Sequence, residues 1–250
     1  MTAPGPAADR FARELEQAPP ELQAPELLGV RLARACAATL PVDGAGLGIH
    51  DMGGLRTPLG ASDPVAAQAE RLQFTQGVGP CIRAHDDGVA IAFDEGEIAR
   101  NWPDLHAALT TTTPFRAVLS VPLLPPLGPL VVLDLYVQDP EALPAIDRNE
   151  VLDVVVAVSR ELSVAARGTA DAEPDPGRGW WEGPDAMRRA RVWQAMGMVN
   201  VAHGLDSEDA LALLKAHAFA QERMVDDVAA DLVTGLLPLD ALRVPADGQS

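Results

Sequence analysis

The sequence predicts an α+β domain joined to a small all-helical module, and three observations carry that prediction. Short apolar runs of strand character alternate with helical patterns over residues 25–167. A stretch rich in glycine, proline and acidic residues, 168–184, follows with the composition of a linker. Over residues 185–240 the pattern is helical throughout.

Residues 1–24 read as an Ala/Pro/Glu-rich extension, with a short helix expected near 10–17 before Pro19-Pro20. From Pro25 onward, Leu28, Leu32, Ala35 and Thr39 fall on one helix face, which ends before Pro41. Residues 45–50 and 55–61 are expected strands flanking a Met52-Gly53-Gly54 turn. Ser62-Asp63-Pro64 starts a helix: Ser62 or Asp63 caps it, and Pro64 sits in the first turn, where its missing N–H costs little. That helix covers 66–74, and Gly77-Val78-Gly79-Pro80 breaks it. Residues 89–93 form a short strand and 102–109 a helix, and the apolar runs 117–124 and 130–137 make a second hairpin around Pro125-Pro126 and Gly128-Pro129. The helix 146–166 keeps Ile146, Val151, Val154, Val155 and Val158 at helical spacing, while Leu152, Val156 and Leu162 widen its apolar surface beyond what one sheet face needs. Two copies pairing through this helix would cover the excess, so a homodimer is expected.

Three helices fit residues 185–240. The first begins at the candidate cap Asp185 and ends at Gly204, placed for a left-handed terminus. The second starts at Asp206 or Ser207, with Glu208 and Asp209 at its positive end and Leu211, Leu214 and Ala218 on one face. The third has the most regular periodicity in the chain, Val225, Val228, Ala229, Leu232, Val233 and Leu236, before Gly235 and Pro238 finish it.

Composition bounds the function. Hydrophobic residues make up 48% of the 250, enough for a buried core, but aromatics are only 4%, so that core is built mainly of Ala, Leu and Val. Two cysteines exclude a disulfide framework, and no Cys/His cluster has zinc spacing, so neither metal nor cofactor is expected. The N-terminus carries Asp9, Glu14 and Glu16 and no signal-peptide core, and nowhere do eighteen apolar residues run together; a cytoplasmic protein off the membrane is expected. The net charge of −17 opposes nucleic-acid binding, yet it is uneven: residues 1–185 carry −14 and residues 186–250 only −3. Between Met187 and His203 stand Arg188, Arg189 and Arg191 and no acid. Screening over about 8–10 Å leaves such a local basic helix usable.

The surface residues expected on the C-terminal helices are Arg188, Arg191, Gln194 and Ala195 on the first, Lys215 and His217 on the second, and Arg223 in the following turn. Arg, Lys, Gln and His with small residues between them suit phosphate contact together with hydrogen bonding to unstacked bases, as in RNA loops; they would equally serve as a solvated helix face.

Trp193-Gln194-Ala195-Met196-Gly197-Met198-Val199, then Ala210-Leu211, Leu214-Lys215-Ala216-His217-Ala218-Phe219-Ala220 and Val228-Ala229-Ala230-Asp231-Leu232-Val233, closely resemble the ANTAR domain of actinobacterial regulators. The resemblance covers nearly all of 185–237 and implies a three-helix module that captures paired hairpins in nascent RNA, preventing an overlapping terminator from forming. Gln194, Ala195, Gly197, Ala210, Lys215 and Ala218 carry over as motif positions. Trp193 and the stretch from Asn200 to His203 depart from the pattern. Upstream, Leu72-Gln73-Phe74-Thr75-Gln76-Gly77-Val78-Gly79-Pro80-Cys81 and Val132-Leu133-Asp134-Leu135-Tyr136 resemble the GAF domain often fused ahead of ANTAR, over roughly 25–167. That likeness implies an antiparallel sheet beside a small-molecule pocket, which Phe74, Cys81, Phe93, Trp102 and Tyr136 would line, although in so aromatic-poor a chain they serve equally as core.

The expected function is therefore an RNA-binding transcription antitermination regulator, with a signal-sensing GAF domain and paired ANTAR modules, and not an enzyme. Two other classes stay open. A GAF-type enzyme or redox sensor would use Cys81 beside its glycine turn, with Arg83 and His85 as neighbours, but it wants a resolving thiol and Cys36 falls on a predicted helix face turned to the core. A DNA-binding regulator would need a basic recognition helix, whereas the third C-terminal helix carries Asp226, Asp227 and Asp231. His50, His85, His106, His203 and His217 are scattered along the chain and read as single surface histidines.

Overall fold

The computed structural model describes residues 6–50, 56–128, 130–171 and 179–242. They fall into two compact units, one spanning residues 1–74 and 78–186, the other taking Thr75–Gly77 with residues 187–250. The expected Met52-Gly53-Gly54 turn lies outside the described residues.

The first unit is α+β. Its sheet comprises β1 (Gly44–His50), β2 (Arg56–Ala61), β3 (Ile91–Phe93), β4 (Ala117–Pro122) and β5 (Val131–Val137) in the spatial order β2-β1-β5-β4-β3. Every neighbouring pair is antiparallel, with Gly46 opposite Asp134 and Ser120 opposite Asp134 on the two sides of the central strand. Side chains alternate across a strand. Val131, Leu133, Leu135 and Val137 therefore enter one core with Ala45 and Leu47, against α1 (Pro6–Glu16), α2 (Leu28–Thr39) and α7 (Arg148–Asp171). The opposite face presents Val132, Asp134 and Tyr136 toward α3 (Pro64–Gln76) and α4 (Pro80–Asp87), with α5 (Glu95–Asn101) and α6 (Pro103–Thr112) completing that side.

Several boundaries differ from expectation for local reasons. The N-terminal segment is no mere extension: Ala7 and Phe11 of α1 are fully buried in the core. The linker is shorter than its composition suggests, because α7 runs to Asp171 and Trp180 is buried against the first unit. Two short helices, α4 and α5, escaped the periodicity reading. α5 is fixed by a capping box, Asp94 accepting from the Glu97 N–H while Glu97 accepts from the Asp94 N–H.

The second unit is helical: α8 (Pro184–His203), α9 (Ser207–Ala220) and α10 (Val225–Thr234). Asp206 caps α9 by accepting from the Asp209 N–H, and Gly204 and Gly235 adopt the left-handed conformation foreseen for helix ends. Val192, Ala195 and Val199 of α8 are buried at i, i+3, i+7, Ala210, Leu214 and Ala218 of α9 at i, i+4, i+8, and Val225, Val228, Ala229 and Leu232 of α10 at i, i+3, i+4, i+7.

Candidate functional site

In the first unit, the sheet face where a ligand pocket was expected holds a buried polar network. Glycines at 44, 46 and 48 alternate with Ala45 and Leu47 on β1, so that face of the strand carries no side chains until His50. A Cβ on Gly46 would collide with the Glu70 carboxylate, and one on Gly48 would stand 3.0 Å from Arg56 Nε. The space released is filled by Arg56 from β2, Glu70 and Gln73 from α3, and Asp134 and Tyr136 from β5, all 5% exposed or less.

The Arg56 guanidinium donates to Glu70 and, at 3.0 Å, to Asp134. Tyr136 donates to Glu70 Oε1 at 2.5 Å and accepts from Gln73 Nε2 at 2.9 Å. Ser120 donates to Asp134, and Gln73 Oε1 accepts the Cys81 backbone N–H at 3.1 Å. Arg56 can balance one negative charge but faces two carboxyl groups. Burial, reinforced by Glu70, raises Asp134 well above the usual carboxylate range and so favours its neutral acid. Burial opposes the charge on Arg56, but the acidic groups around it, the Glu70 carboxylate among them, outweigh burial and raise its pKa, so the guanidinium stays charged. The beginning of β2 thus carries a charge that the sequence reading passed over; the alternating glycines of β1 were the available signal.

Three of the five residues expected as pocket lining or as core, Phe74, Cys81 and Tyr136, lie in the core. Phe93 and Trp102 meet each other edge to face at 5.0 Å. The cavity beside Gln73 and Tyr136 is about 10 Å³, room for one water at most. Tyr136 instead stacks on Phe115 at 4.9 Å. Cys81 is fully buried and burial raises its thiol well above the ordinary range; Cys36 is raised by burial too, so neither presents a reactive thiolate.

His50 and His85 are not the isolated surface residues expected: their rings stack at 4.6 Å. Burial, with Arg56 and His85 adding to it, lowers the His50 pKa to about 2, so its ring stays neutral. Among the described residues no three His, Cys, Asp or Glu side chains are grouped to hold a metal ion, and no helix is long and apolar enough to cross a membrane.

The second unit sorts the expected RNA-facing residues into three groups. Arg188, Arg191 and Gln194 are exposed on α8, as expected. Ala195 is corrected: it is fully buried, because it continues the stripe of Val192 and Val199. Lys215 and His217 are only half-exposed, and burial, with Arg189 adding to it, lowers the Lys215 pKa to about 8. Arg223 is drawn into an ion pair with Asp231 at 2.6 Å. Arg189 is 2% exposed and donates to Asp226 at 3.0 Å, so one of the three clustered arginines is neutralised inside the module. Beyond Asp185, no residue of α8 is acidic, and its outer side continues from Gln194 into an apolar groove of about 500 Å³ along Gly197, Met198, Val201 and Ala202, with Leu239 on its rim.

Among the described residues, an α+β unit with a buried polar network is followed by a helical unit whose α8 turns Arg188, Arg191 and Gln194 to solvent. No family model and no curated protein matches the chain. Among solved structures, a GAF domain from a phosphoenolpyruvate-protein phosphotransferase of Coxiella burnetii is 16% identical, with a TM-score of 0.42, over 66% of this chain and 95% of that one. An RNA-binding light-oxygen-voltage receptor is 17% identical, with a TM-score of 0.22, over 79% of this chain and 50% of that one. Likenesses this distant carry no argument about the fold or the function.

Proposed function

We propose that the chain is a cytoplasmic RNA-binding transcription antitermination regulator without enzymatic activity. In this reading the first unit is a GAF-type domain, the second is an ANTAR module, and two copies present paired modules to two hairpins of a nascent transcript. One observation carries it: in a protein of charge −17, α8 turns Arg188, Arg191 and Gln194 to solvent with no carboxylate among its exposed residues. The two guanidiniums suit RNA phosphates and the Gln194 amide suits the edge of an unstacked base, while the groove along Met198 and Val201 offers that base an apolar surface.

The acidic α10 argues against DNA recognition, since Asp226 and Asp231 are spent on Arg189 and Arg223 and no basic residue lies on that helix. Pairing of two copies is supported by α7, whose Leu152, Val156 and Val164 stay about half exposed while Val151, Val154, Val155, Val158 and Leu162 are buried. Avidity from two linked modules would then multiply a weak single contact. The test is a gel shift with the full chain on paired-hairpin RNA, the same RNA with scrambled loops, and duplex DNA of equal length. The paired-hairpin RNA should bind at least tenfold tighter than either control; equal affinity for all three refutes the reading.

A further inference from the structure

On the outside of the first unit, α1 and α2 leave a groove of about 530 Å³ between the end of α1, one side of α2 and the start of α3. That volume suits a small organic molecule. The groove is unusual in this acidic chain because two guanidiniums, Arg31 and Arg34, stand three residues apart on α2 and line it together.

The polar groups around them divide into those already engaged and those not. Asp63 accepts from Ser62 Oγ at 2.6 Å and from the N–H groups of Val65 and Ala66 at 2.8 and 3.0 Å, so its carboxylate is committed to starting α3. Ser62 in turn accepts the Ala45 N–H at 2.9 Å. Arg31 is held in place by the Gln23 side-chain oxygen at 2.6 Å, and Gln23 is itself fixed by donating to the Ala18 carbonyl at 2.9 Å. Among the described residues, Arg34 and Glu14 make no ion pair although both line the groove and both are exposed. Ala35 and Ala38 on α2 and Leu22 below them supply an apolar floor.

We propose that this groove binds a small organic anion, a carboxylate or phosphate ester with an apolar portion. Its anionic group pairs with Arg31 and Arg34, its apolar part lies on the alanines of α2, and Glu14 accepts from a donor group on the same molecule. A guanidinium pair with one member pre-positioned by Gln23 recognises a planar carboxylate or a phosphate through parallel hydrogen bonds. The site lies within the first unit, on the opposite side of the sheet from the Arg56 network, and it does not depend on RNA binding.

The probe is 8-anilinonaphthalene-1-sulfonate, which joins an anionic group, an N–H donor and apolar rings. Its fluorescence is titrated on the full chain, with citrate and inorganic phosphate as competitors. Wild type should give a saturable site that at least one competitor empties. Arg31→Gln with Arg34→Gln should weaken it at least tenfold, and Ala38→Trp, which fills the floor at an exposed position without altering charge, should do the same. Circular dichroism of each variant should match wild type. The more potent competitor identifies the anion class. Retained wild-type affinity in either variant, or failure of both competitors, overturns the assignment.

Discussion

Replacing Arg56 by Met withdraws the cation from a site that holds two carboxyl groups. Arg56 is 4% exposed and bonded to Glu70 and Asp134, both 4% exposed or less, so water cannot take its place without opening the core. Breaking a buried charge pair by removing one partner costs about 3–5 kcal/mol. For a unit of this size that corresponds to a fall of roughly 6–20 °C in melting temperature. Differential scanning calorimetry of the full chain at pH 7 reads it in the transition of the first unit. The double variant Arg56→Met with Asp134→Asn removes a carboxyl group together with the cation, and should recover a coupling of about 0.5–3 kcal/mol relative to the summed singles. A loss below about 1 kcal/mol for Arg56→Met, or strictly additive singles, would show that the network does not hold this face of the sheet together.

Three further outcomes follow from the same structure. Asp134 is raised in the folded protein, so its contribution to stability is fully present below the unfolded carboxylate range and is lost as pH rises toward its folded pKa; chemical denaturation should therefore show Asp134→Asn gaining on wild type by up to about 1.4 kcal/mol per pH unit above pH 4, and parallel curves would contradict this. Lys215 is lowered to about 8, so between pH 8 and its unfolded value of 10.5 the unfolded chain binds more protons and stability gains with rising pH; that gain should vanish in Lys215→Met, and an unchanged difference between the two proteins across that window would refute it. Leu152→Glu with Val156→Glu places charges on the exposed stripe of α7; light scattering should find monomer in place of dimer with the fold retained, whereas an unchanged mass would remove α7 from the proposed interface.

Much of the architecture was legible because long periodic segments declare themselves. The strands of the sheet, the glycine ends of α8 and α10 and the cap of α9 all follow from pattern and turn chemistry. The misses have physical causes. The seven-residue α5 and eight-residue α4 are too short for periodicity to stand out, although Asp94 and Glu97 spell a capping box. The candidate site was harder to read because burial of a charged residue is a tertiary fact. Nothing local distinguishes Arg56 or Arg189 from solvated arginines, and it is Glu70, Asp134 and Asp226, distant in sequence, that make their burial tolerable. Ala195 is buried although its sequence position beside Gln194 suggests the outer face, because Arg188, Arg189 and Arg191 spread around α8 and obscure which side is buried.

The central claim rests on the outward guanidiniums of α8, and the salt dependence of RNA affinity measures their role most directly. Each phosphate neutralised on single-stranded RNA contributes about 0.7 to the slope of log affinity against log salt. Arg188→Ala with Arg191→Ala should lower that slope by roughly 1.4 and weaken paired-hairpin binding while leaving both thermal transitions unchanged. A double variant that binds the same RNA with wild-type affinity and wild-type slope would contradict the account.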